Sequence, residues 1–568
     1  MIDTVGPNDD DFDVIILGAG INGAGTFRDL CLQGLKCLIV DKSDFGSGTS
    51  AAPSRLIHGG LKYLETGEFR LVAESTRERN LLLKNAPHVV KPLSTVIPVR
   101  SWFSGIWAAI NTFIGRKVPF RSRGLVLIAL GLWLYDRFGR QYSSMPKRKF
   151  FSKEKALKLL PSMTSDIVGF GSYYDAKITE PERLIWELIE DGLAASPSSR
   201  ALNYCPVIGV KKGSLQFKPE GSDSFSASAR FVVNAAGPWI DQVNQALGLE
   251  TTFIGGTKGS HMVLDDPELV SELDGQMVYF EGQDGRILLI FENHGKLLVG
   301  SSDIPAEDPD DLICTDEEVD YFLDGLRSLF PARAFRRDQI IYTYAGLRPL
   351  PNSEGVEPGL ISRDHSAPII ETVPERPFPI MSLIGGKWTT FRAFAEDVSD
   401  QILDRLETPR RQSTVLCPIG GGANFPVNPP DFNEVVADFT KSYGISSQCI
   451  TNWLARYGPR KTKSICESGL ERLDERDIGT GYTGQEIAWL AQNECVVHAE
   501  DILFRRTQLA VTGQVGSALD TVIDILGTAF DWPSEKKSAE RQRSLQVLAR
   551  HSADAQKAPF DAHSSKPP

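Results

Sequence analysis

The feature that most restricts the fold of this chain is a strand–turn–helix–strand pattern near its beginning, in DVIILGAGINGAGTFRDLCLQGLKCLIVDK. Residues 14–17 and 36–40 are short apolar runs, which is typical of buried strands. Residues 24–32 between them are rich in helix-forming side chains, and Gly34 ends that helix. Together these segments predict one complete β-α-β unit.

Three glycines in the turn of this unit have the spacing of a dinucleotide-binding motif. Gly18 permits the tight turn, Gly20 lets a pyrophosphate approach the backbone at a helix N-terminus, and Gly23 lets the helix pack closely on the strand. Asp41 follows the second strand, where its carboxylate can accept a hydrogen bond from a ribose hydroxyl. These residues predict dinucleotide binding, and a glycine-rich turn without a ligand is the alternative.

Further glycine-rich segments favour FAD over NAD as the dinucleotide. Residues 42–60 are rich in Gly, Ser and Thr, residues 229–240 form a strand with a small-residue turn, and residues 380–397 again pass from strand through two glycines to helix. A nicotinamide enzyme needs only the first of these segments. Three separated glycine-rich strand ends suit a long cofactor that is wrapped by discontinuous pieces of chain.

Composition narrows the choice of partners and compartment. The chain has 568 residues, 41% of them hydrophobic, and a net charge of −12, so we expect no nucleic-acid partner. Its eight cysteines show no C-x-x-C pair and no metal-ligand spacing, which predicts reduced thiols and no metal. We expect no signal peptide and no membrane-spanning helix, because the N-terminus is acidic and the apolar runs are short.

Several short motifs in one order carry a family resemblance. They are LGAGINGAG, SRLIHGGLKYLE, NAAGPW, TKGSHMVL, TYAGLRPL, ISRDH and GGKWTTFRAFAE, followed by the helical EIAWLAQNECVVHAEDILFRRT. In this the chain resembles the FAD-dependent, aerobic-type glycerol-3-phosphate dehydrogenases. The resemblance implies an α/β (α+β) fold with a Rossmann-like FAD domain of the glutathione-reductase and amino-acid-oxidase type, an antiparallel-sheet substrate domain and a helical C-terminal cap. It implies oxidation of glycerol 3-phosphate to dihydroxyacetone phosphate, with electrons passed to membrane quinone or, in oxidase relatives, to O₂.

The motifs and the resemblance together give the expected contacts to FAD. These are Gly18, Gly20, Asn22, Gly23, Asp41, Lys42, Thr49, Ser50, Arg55, Leu56, His58, Gly59, Gly60, Ala236, Gly237, Trp239, Gly386, Lys387, Thr389 and Thr390.

Alcohol oxidation also needs a base for the hydroxyl proton, and a histidine suits that task at neutral pH. His58 is the first candidate, because two glycines follow it, and His261 is the second. By resemblance, Lys387 lies near the flavin and the substrate hydroxyl, and it joins Arg348 and the two histidines as the expected catalytic residues. Which histidine is the base stays open.

The phosphate of the substrate is anionic and needs cations. The resemblance assigns it to Arg348 and Arg363, and the expected substrate contacts are Lys62, Tyr63, Lys258, Arg348 and Arg363. The family commonly has Arg where this chain has Lys62, and a lysine binds phosphate as a point charge rather than as a fork.

A basic and aromatic segment interrupts the acidic chain. Residues 79–135 contain no acidic side chain and eight lysines or arginines, and apolar residues recur at helical spacing over 102–114. This pattern predicts an interfacial helix on an anionic membrane surface, at the cytoplasmic face of the membrane. A buried core helix is the alternative. Residues 125–134 are apolar but too few to span a bilayer.

The expected organisation is a discontinuous FAD domain over 11–95, 165–250 and 340–405, and a substrate domain over 251–339. The membrane-associating segment is 96–164, which also contributes to the substrate region. A Gly/Pro linker over 417–431 leads into a helical domain over 415–530, and the tail 534–568 is expected to begin helix-like and to be largely disordered. A homodimer is left open.

Rival functions remain at this point. A dehydrogenase of another polyol phosphate, such as erythritol phosphate, is the runner-up, beside an O₂-using glycerol-3-phosphate oxidase. An amine or amino-acid oxidase shares the fold but does not need so many cations. A flavin scaffold without catalysis is disfavoured by His58, Arg348 and Lys387.

Overall fold

A computed structural model describes residues 11–61, 68–103, 124–139, 145–282, 284–352, 364–469, 477–479 and 481–553. The strands are β1 (Asp11–Leu17), β2 (Cys37–Val40), β3 (Leu56–Ile57), β4 (Val90–Val99), β5 (Lys149–Ser152), β6 (Gly169–Ile178), β7 (Arg200–Leu202), β8 (Val207–Lys211), β9 (Ser214–Phe217), β10 (Phe225–Asn234), β11 (Thr257–Leu264), β12 (Gln276–Glu281), β13 (Ile287–Asn293), β14 (Lys296–Gly300), β15 (Ile304–Pro305), β16 (Ile340–Arg348), β17 (His365–Ser366), β18 (Ile369–Ile370), β19 (Ile380–Ser382), β20 (Ile384–Gly385), β21 (Asp477–Gly479) and β22 (Tyr482–Thr483).

The α-helices of the described residues follow the same order. They are α1 (Ile21–Leu32), α2 (Phe69–Asn85), α3 (Leu125–Phe138), α4 (Lys153–Leu159), α5 (Pro181–Ala195), α6 (Ile240–Ala246), α7 (Pro267–Leu273), α8 (Asp316–Leu329), α9 (Phe391–Arg405), α10 (Pro429–Tyr443), α11 (Ser447–Cys466), α12 (Gly484–Asn493), α13 (Ala499–Asp501), α14 (Val515–Ala529) and α15 (Ser534–Arg550).

The first sheet contains the predicted β-α-β unit. Its parallel strands run in the order β7-β2-β1-β10-β19, with β18 antiparallel at one edge. In the central strand β1, Val14 pairs with Cys37 on one side and Phe231 on the other. Helices α1, α5 and α9 pack together against this sheet. The apolar strands are continuous rather than alternating because they are buried on both faces.

Helix α1 begins earlier than the sequence pattern predicts. It starts at Ile21 rather than at residue 24, since the N–H of Ala24 already donates to the carbonyl of Gly20 at 2.9 Å. The glycine motif therefore belongs to the first turn of the helix. A Cβ at Gly23 would overlap the carbonyl oxygen of Gly18, so the close approach of helix and strand requires glycine there.

The second sheet is mainly antiparallel, in the order β15-β11-β14-β13-β12-β4-β6-β3. Strand β16 pairs with the other side of β11, β5 pairs with β6, and the β4–β12 pair is parallel. This sheet takes β3, β6, β16 and the first part of β4 from the residues assigned to the FAD domain by sequence. The sheet therefore joins residues from both predicted domains, and this long-range strand pairing leaves no local signal in the sequence.

The C-terminal region is helical apart from the short pair β21 and β22. The predicted linker is packed rather than extended, since Gly420, Gly421 and Gly422 are buried against Glu187, Tyr457 and Asn85. The predicted tail begins as a helix, as its sequence pattern indicates: α15 packs on α14 and buries Glu540 and Ser544. Residues 554–568 lie outside the described residues.

Buried ion pairs join this helical region to the FAD domain. Arg506 donates to both oxygens of Asp44 at 2.7 and 3.0 Å, and Arg183 donates to Glu494 at 2.6 Å. Burial acts to raise the pKa of Asp44, but the charges of Arg506 and Arg505 outweigh it and hold that pKa below its usual range. The helical C-terminal region and the FAD domain are therefore joined by buried ion pairs.

Two further expectations can be compared with the structure. All eight cysteines are free, and six of them are buried, while Cys417 is partly exposed and Cys495 is exposed. Within the described ranges, none of the helices has the length and apolarity needed to cross a bilayer.

Candidate functional site

A cavity of about 1250 Å³ lies between the carboxyl ends of β1, β2 and β10 and the face of the second sheet. This exceeds the usual size of a pocket for one small ligand, and it suits a dinucleotide together with a substrate. Of the residues predicted from sequence, it is lined by Gly18, Gly20, Asn22, Asp41, Lys42, Thr49, Ser50, Arg55, Leu56, His58, Gly60, Ala236, Gly237, Trp239, His261, Arg348, Gly386, Lys387 and Thr389.

The remaining predicted residues fall into two groups. Gly23, Gly59, Thr390 and Lys258 are described but do not line the cavity. Lys62, Tyr63 and Arg363 lie outside the described residues, as do residues 104–123, which hold most of the predicted interfacial helix.

The glycine motif forms one end of the cavity. Gly18 has a φ of +105°, and any Cβ there would overlap the backbone of Ala235. The hydroxyl of Ser50 accepts a hydrogen bond from the N–H of Ile21 at 3.0 Å, and it also limits the space beside Gly20. Exposed backbone at a helix N-terminus is the arrangement that binds a pyrophosphate.

Asp41 closes the same end at the tip of β2. Its two oxygens accept the N–H groups of Ala19 at 2.7 Å and Ser43 at 3.0 Å. Burial raises the pKa of Asp41 to about 6, and the two backbone N–H donors partly oppose this rise. At pH 7 the group is therefore mostly an acceptor facing the cavity, as ribose binding requires.

Near Gly386, the side chain of Asn22 has only part of its hydrogen-bonding capacity satisfied. The side-chain amide of Asn22 donates to the carbonyl of Gly385 at 3.4 Å, but its oxygen is buried and has no partner among the described residues. Gly385 and Gly386 have φ values of +70° and +88°, which glycine alone adopts readily. The glycine turns, the ribose-type acceptor Asp41 and this unpartnered oxygen fit an FAD molecule.

The segment around His58 is held from both sides. The N–H of His58 donates to the hydroxyl of Thr389 at 3.1 Å, and the N–H of Gly59 donates to the hydroxyl of Tyr135 at 2.7 Å. Gly59 is therefore a supporting residue behind the cavity wall, because a Cβ there would overlap Tyr135 and Thr76.

His261 forms the centre of a second cluster in the cavity. Its Nε2 lies 2.8 Å from the hydroxyl of Ser54, its ring stacks on Tyr344 at 4.8 Å, and its buried Nδ1 has no partner among the described residues. Burial, together with the smaller effect of the Arg348 and Arg55 charges, lowers the pKa of His261 to about 3. The ring is therefore neutral at pH 7 and able to accept a proton.

Arg348 lies at the end of β16, the strand that also carries Tyr344. It donates to Asp303 at 3.0 Å, to the Ser302 carbonyl at 3.0 Å and to the Ser301 hydroxyl at 3.3 Å. Lys387 also lines the cavity, and its amino group lies 3.2 Å from the Ser75 hydroxyl. These two cations can attract an anionic substrate into the cavity.

Lys258 does not have the predicted position. Its amino group forms an ion pair with Glu318 at 2.7 Å and donates to the Ile313 carbonyl at 3.0 Å. The physical reason is strand alternation, because Lys258 and His261 are three residues apart on β11 and so point to opposite faces. The spacing alone contained this signal.

Arg55 also departs from its expected use as a simple cofactor contact. Its guanidinium donates to Gln508 at 3.2 Å and to the Thr179 carbonyl, and it lies 3.7 Å from Glu182. Arg55 thus ties the cavity wall to the C-terminal region. Sequence reasoning missed Ser54, Ser301, Asp303 and Gln508, although Ser54 is the first residue of the recognised motif SRLIHGGLKYLE.

Comparison with known proteins agrees with this geometry. Residues 13–399 match the family model described as FAD dependent oxidoreductase, and residues 412–537 match the C-terminal domain of alpha-glycerophosphate oxidase. The chain belongs to the FAD-dependent oxidoreductases, and its cofactor is FAD.

The relatives define the family more narrowly. A glycerol-3-phosphate dehydrogenase of Synechocystis sp. is 32% identical over 94% of this chain and 95% of its own length. An aerobic glycerol-3-phosphate dehydrogenase of Staphylococcus aureus is 28% identical over 95% of this chain and 94% of its own. The protein is a member of the FAD-dependent glycerol-3-phosphate dehydrogenase family, as its motifs predict.

A solved structure confirms the expected fold. The glycerol-3-phosphate dehydrogenase from Bacillus halodurans, complexed with FAD, superimposes with a TM-score of 0.73 at 22% identity, covering 97% of each chain.

Proposed function

We propose that this protein oxidises sn-glycerol 3-phosphate to dihydroxyacetone phosphate, with hydride transfer to FAD and passage of the electrons to a membrane quinone. The observation that carries the proposal is the neutral His261, paired with Ser54 at 2.8 Å, in the same cavity as Arg348 and the dinucleotide motif. The names of the relatives support the substrate.

The reaction removes a hydride and a proton from one secondary alcohol. FAD, when bound, supplies the hydride acceptor. His261 takes the hydroxyl proton, since its ring is neutral at pH 7 and Ser54 fixes its orientation. His58 is the alternative base, because it lines the same cavity and its backbone is fixed by Thr389.

The phosphate group is bound by Arg348. A dianion beside this guanidinium offsets the positive charge that lowers the pKa of His261. A substrate that carries a phosphate therefore raises the pKa of His261 and makes it a stronger base, whereas an alcohol without a phosphate does not. Lys387 completes the positive lining, and Arg363 is expected to share the phosphate with Arg348, although it lies outside the described residues.

Anaerobic mixing of the yellow holoprotein with glycerol 3-phosphate tests the proposal. We expect rapid bleaching of the flavin absorbance, and His261→Gln is expected to slow it by about 10²–10⁴-fold, the usual contribution of a general base. His58→Gln, measured in parallel, assigns the base to the histidine with the larger loss. His294→Asn is the matched control, since His294 does not line the cavity. FAD that stays oxidised with glycerol 3-phosphate contradicts the proposal, and bleaching by erythritol phosphate instead supports the runner-up.

An exposed apolar surface supports a membrane acceptor. On α3, Val126, Leu130 and Trp133 lie on one face and are 47%, 55% and 49% exposed. Trp102 and Phe103 are also exposed, and the Trp102 carbonyl accepts the N–H of Val126 at 3.3 Å. Apolar and tryptophan side chains on one face suit the interfacial layer of a bilayer. This face supports the proposed attachment to a membrane surface, which we propose is the cytoplasmic one.

Vesicle sedimentation tests the surface. The double variant Leu130→Glu with Trp133→Glu is expected to lose most of its binding to anionic vesicles. Ile208→Glu is the matched control, because Ile208 is an equally exposed apolar residue on β8. Equal loss in both variants contradicts the assignment.

Reoxidation by a short-chain quinone compared with O₂ then distinguishes a dehydrogenase from an oxidase.

A further inference from the structure

The end of α15 returns to the cavity from the C-terminal side of the chain. Val547 and His551 line the same cavity as His261 and Arg348. Both lie beyond residue 537, where the match to the C-terminal family model ends. The reaction proposed above gives these residues no role.

Residues 551 and 552 pair with the free edge of β16 at Thr343. The N–H of Thr343 donates to the His551 carbonyl at 2.7 Å, and the Thr343 hydroxyl donates to the Ser552 carbonyl at 3.1 Å. The Nδ1 of His551 lies 2.8 Å from the Thr343 carbonyl. Among the described strands β16 pairs with β11 alone, so these contacts cover the edge that β11 leaves open.

A stack of rings continues from this edge to the catalytic cluster. The ring of His551 stacks on Tyr342 at 4.6 Å and 15°. Tyr342 contacts Tyr344 at 6.1 Å, and Tyr344 stacks on His261 at 4.8 Å and 17°. Tyr342 and Tyr344 are two apart on β16, so both project to the cavity face that carries Arg348. Close-packed rings transmit displacement because the interior has little free volume.

The neighbouring Arg550 contacts the other part of the cavity. It donates to the Asp310 carbonyl at 3.2 Å and lies 3.6 Å from the Asp311 carboxylate. Asp310 in turn accepts from Lys42 and from the Trp239 indole, both at 2.9 Å. The same end of α15 therefore supports the wall beside the dinucleotide motif.

We propose that His551 is a positioning residue for His261, acting through the contacting rings of Tyr342 and Tyr344. The inference rests on the proposed role of His261 as base. His551 touches neither the reacting carbon nor the flavin in this assignment, and its effect is to hold β16 and the His261 ring in one orientation. The end of α15 thereby helps to position the proposed base.

The variants His551→Ala and His551→Phe test this in the full-length holoprotein. Alanine removes the stacked ring, whereas phenylalanine keeps it and removes only the Nδ1 contact. We expect His551→Ala to slow flavin bleaching by glycerol 3-phosphate about tenfold, because a small displacement of the His261 ring lowers the rate. We expect His551→Phe to recover most of the rate. Arg541→Ala, an exposed change on the same helix, is the control.

The pH profile of kcat/KM separates positioning from a merely structural effect. The groups that face His261 are Ser54, Tyr344 and the charges of Arg348 and Arg55. Looser packing in His551→Ala admits water, which raises the pKa of His261 toward its ordinary value, so the acid limb moves to higher pH. Wild-type rate in His551→Ala, an unshifted acid limb, or equal losses in both variants overturns the proposal.

Hydrogen exchange provides a readout that does not need the substrate. Faster exchange over 340–348 and 257–264 in His551→Ala, but not in His551→Phe, is the expected result. Wild-type exchange in His551→Ala overturns the inference. If glycerol 3-phosphate fails to bleach the wild-type protein while this exchange pattern holds, the substrate assignment fails and the structural coupling stands.

Discussion

The hydroxyl of Tyr135, on the inner side of α3, lies 2.7 Å from the backbone nitrogen of Gly59, next to His58. The same hydroxyl donates to Asp175 at 2.5 Å and accepts from Arg79 at 3.1 Å. Burial raises the pKa of Tyr135 well above its usual value, so it stays a neutral donor. The helix with the exposed apolar face thus holds the backbone beside the flavin cavity.

Tyr135→Phe is expected to slow flavin bleaching about fivefold and to lower the free energy of unfolding by about 1–2 kcal/mol, because buried donors and acceptors lose a partner. Stopped-flow absorbance and urea unfolding measure the two effects. Tyr443→Phe is the control, since the Tyr443 hydroxyl donates to Glu467 in an exposed hydrogen bond. A Tyr135→Phe protein with normal FAD content and an unchanged rate contradicts the role of the hydroxyl.

Gly259→Ala is expected to weaken substrate binding without loss of FAD. A Cβ at Gly259 would overlap the Arg348 guanidinium, a flexible group that moves aside while the backbone stays in place. We expect KM for glycerol 3-phosphate to rise about tenfold or more, as for loss of a charge-assisted contact, with a smaller change in kcat. Steady-state kinetics test this, and Gly516→Ala, where no atom stands within 4 Å, is the control. Unchanged KM argues against phosphate binding by Arg348.

Acid pH is expected to destabilise the protein in part through His294. Burial lowers the pKa of His294 to about 4, against about 6.5 in the unfolded chain. Between these values the unfolded chain binds a proton that the folded protein does not, so stability falls as pH falls from 6.5 toward 4.

The variant His294→Asn isolates this contribution. Asparagine tolerates the φ of +51° at this position. From pH 6 to pH 5 the variant should lose about 1 kcal/mol less stability than the wild type, as linkage requires for one group. Urea unfolding at the two pH values measures the difference, and parallel losses in both proteins disagree with the burial of a neutral ring.

Arg506→Ala is expected to destabilise the protein by about 3–5 kcal/mol, because it leaves the buried Asp44 without its main countercharge. Arg541→Ala removes an exposed pair with Asp520 and should cost less than about 1 kcal/mol. Thermal or urea unfolding compares the two. Similar small losses in both variants mean that the ion pairs between the two regions contribute little.

The parts of the fold that local sequence encodes were predictable. The first strand, its glycine turn and α1 follow one another along the chain, so pattern and spacing identify them together. The pairing of β16 with β11, by contrast, joins residues about eighty positions apart, and no local signal gives that register. Hence the sharing of the second sheet between the predicted FAD and substrate domains could not be read from the sequence.

The candidate site divides along the same line. His261 and Arg348 lie in recognisable motifs, and the structure brings both to one cavity. The position of Lys258 could not be predicted from the TKGSH motif alone, because its ion-pair partner Glu318 lies on α8, far away in the sequence. Strand alternation would have separated Lys258 from His261, whereas the contact of Arg55 with Gln508 requires the three-dimensional structure.

The first sheet has a consequence for how the protein is made. Its strand β1 leaves the ribosome first, yet β10 and β19 pair with each other at Val232 and Ile380, far along the chain. The apolar strands that enclose FAD must therefore wait, incompletely paired, while most of the polypeptide is synthesised. Such long-range pairing is slow and leaves strand edges unpaired, which favours aggregation. The cavity that binds FAD is accordingly complete only after the residues near 380 have been synthesised, because Gly386 and Lys387 form part of its wall.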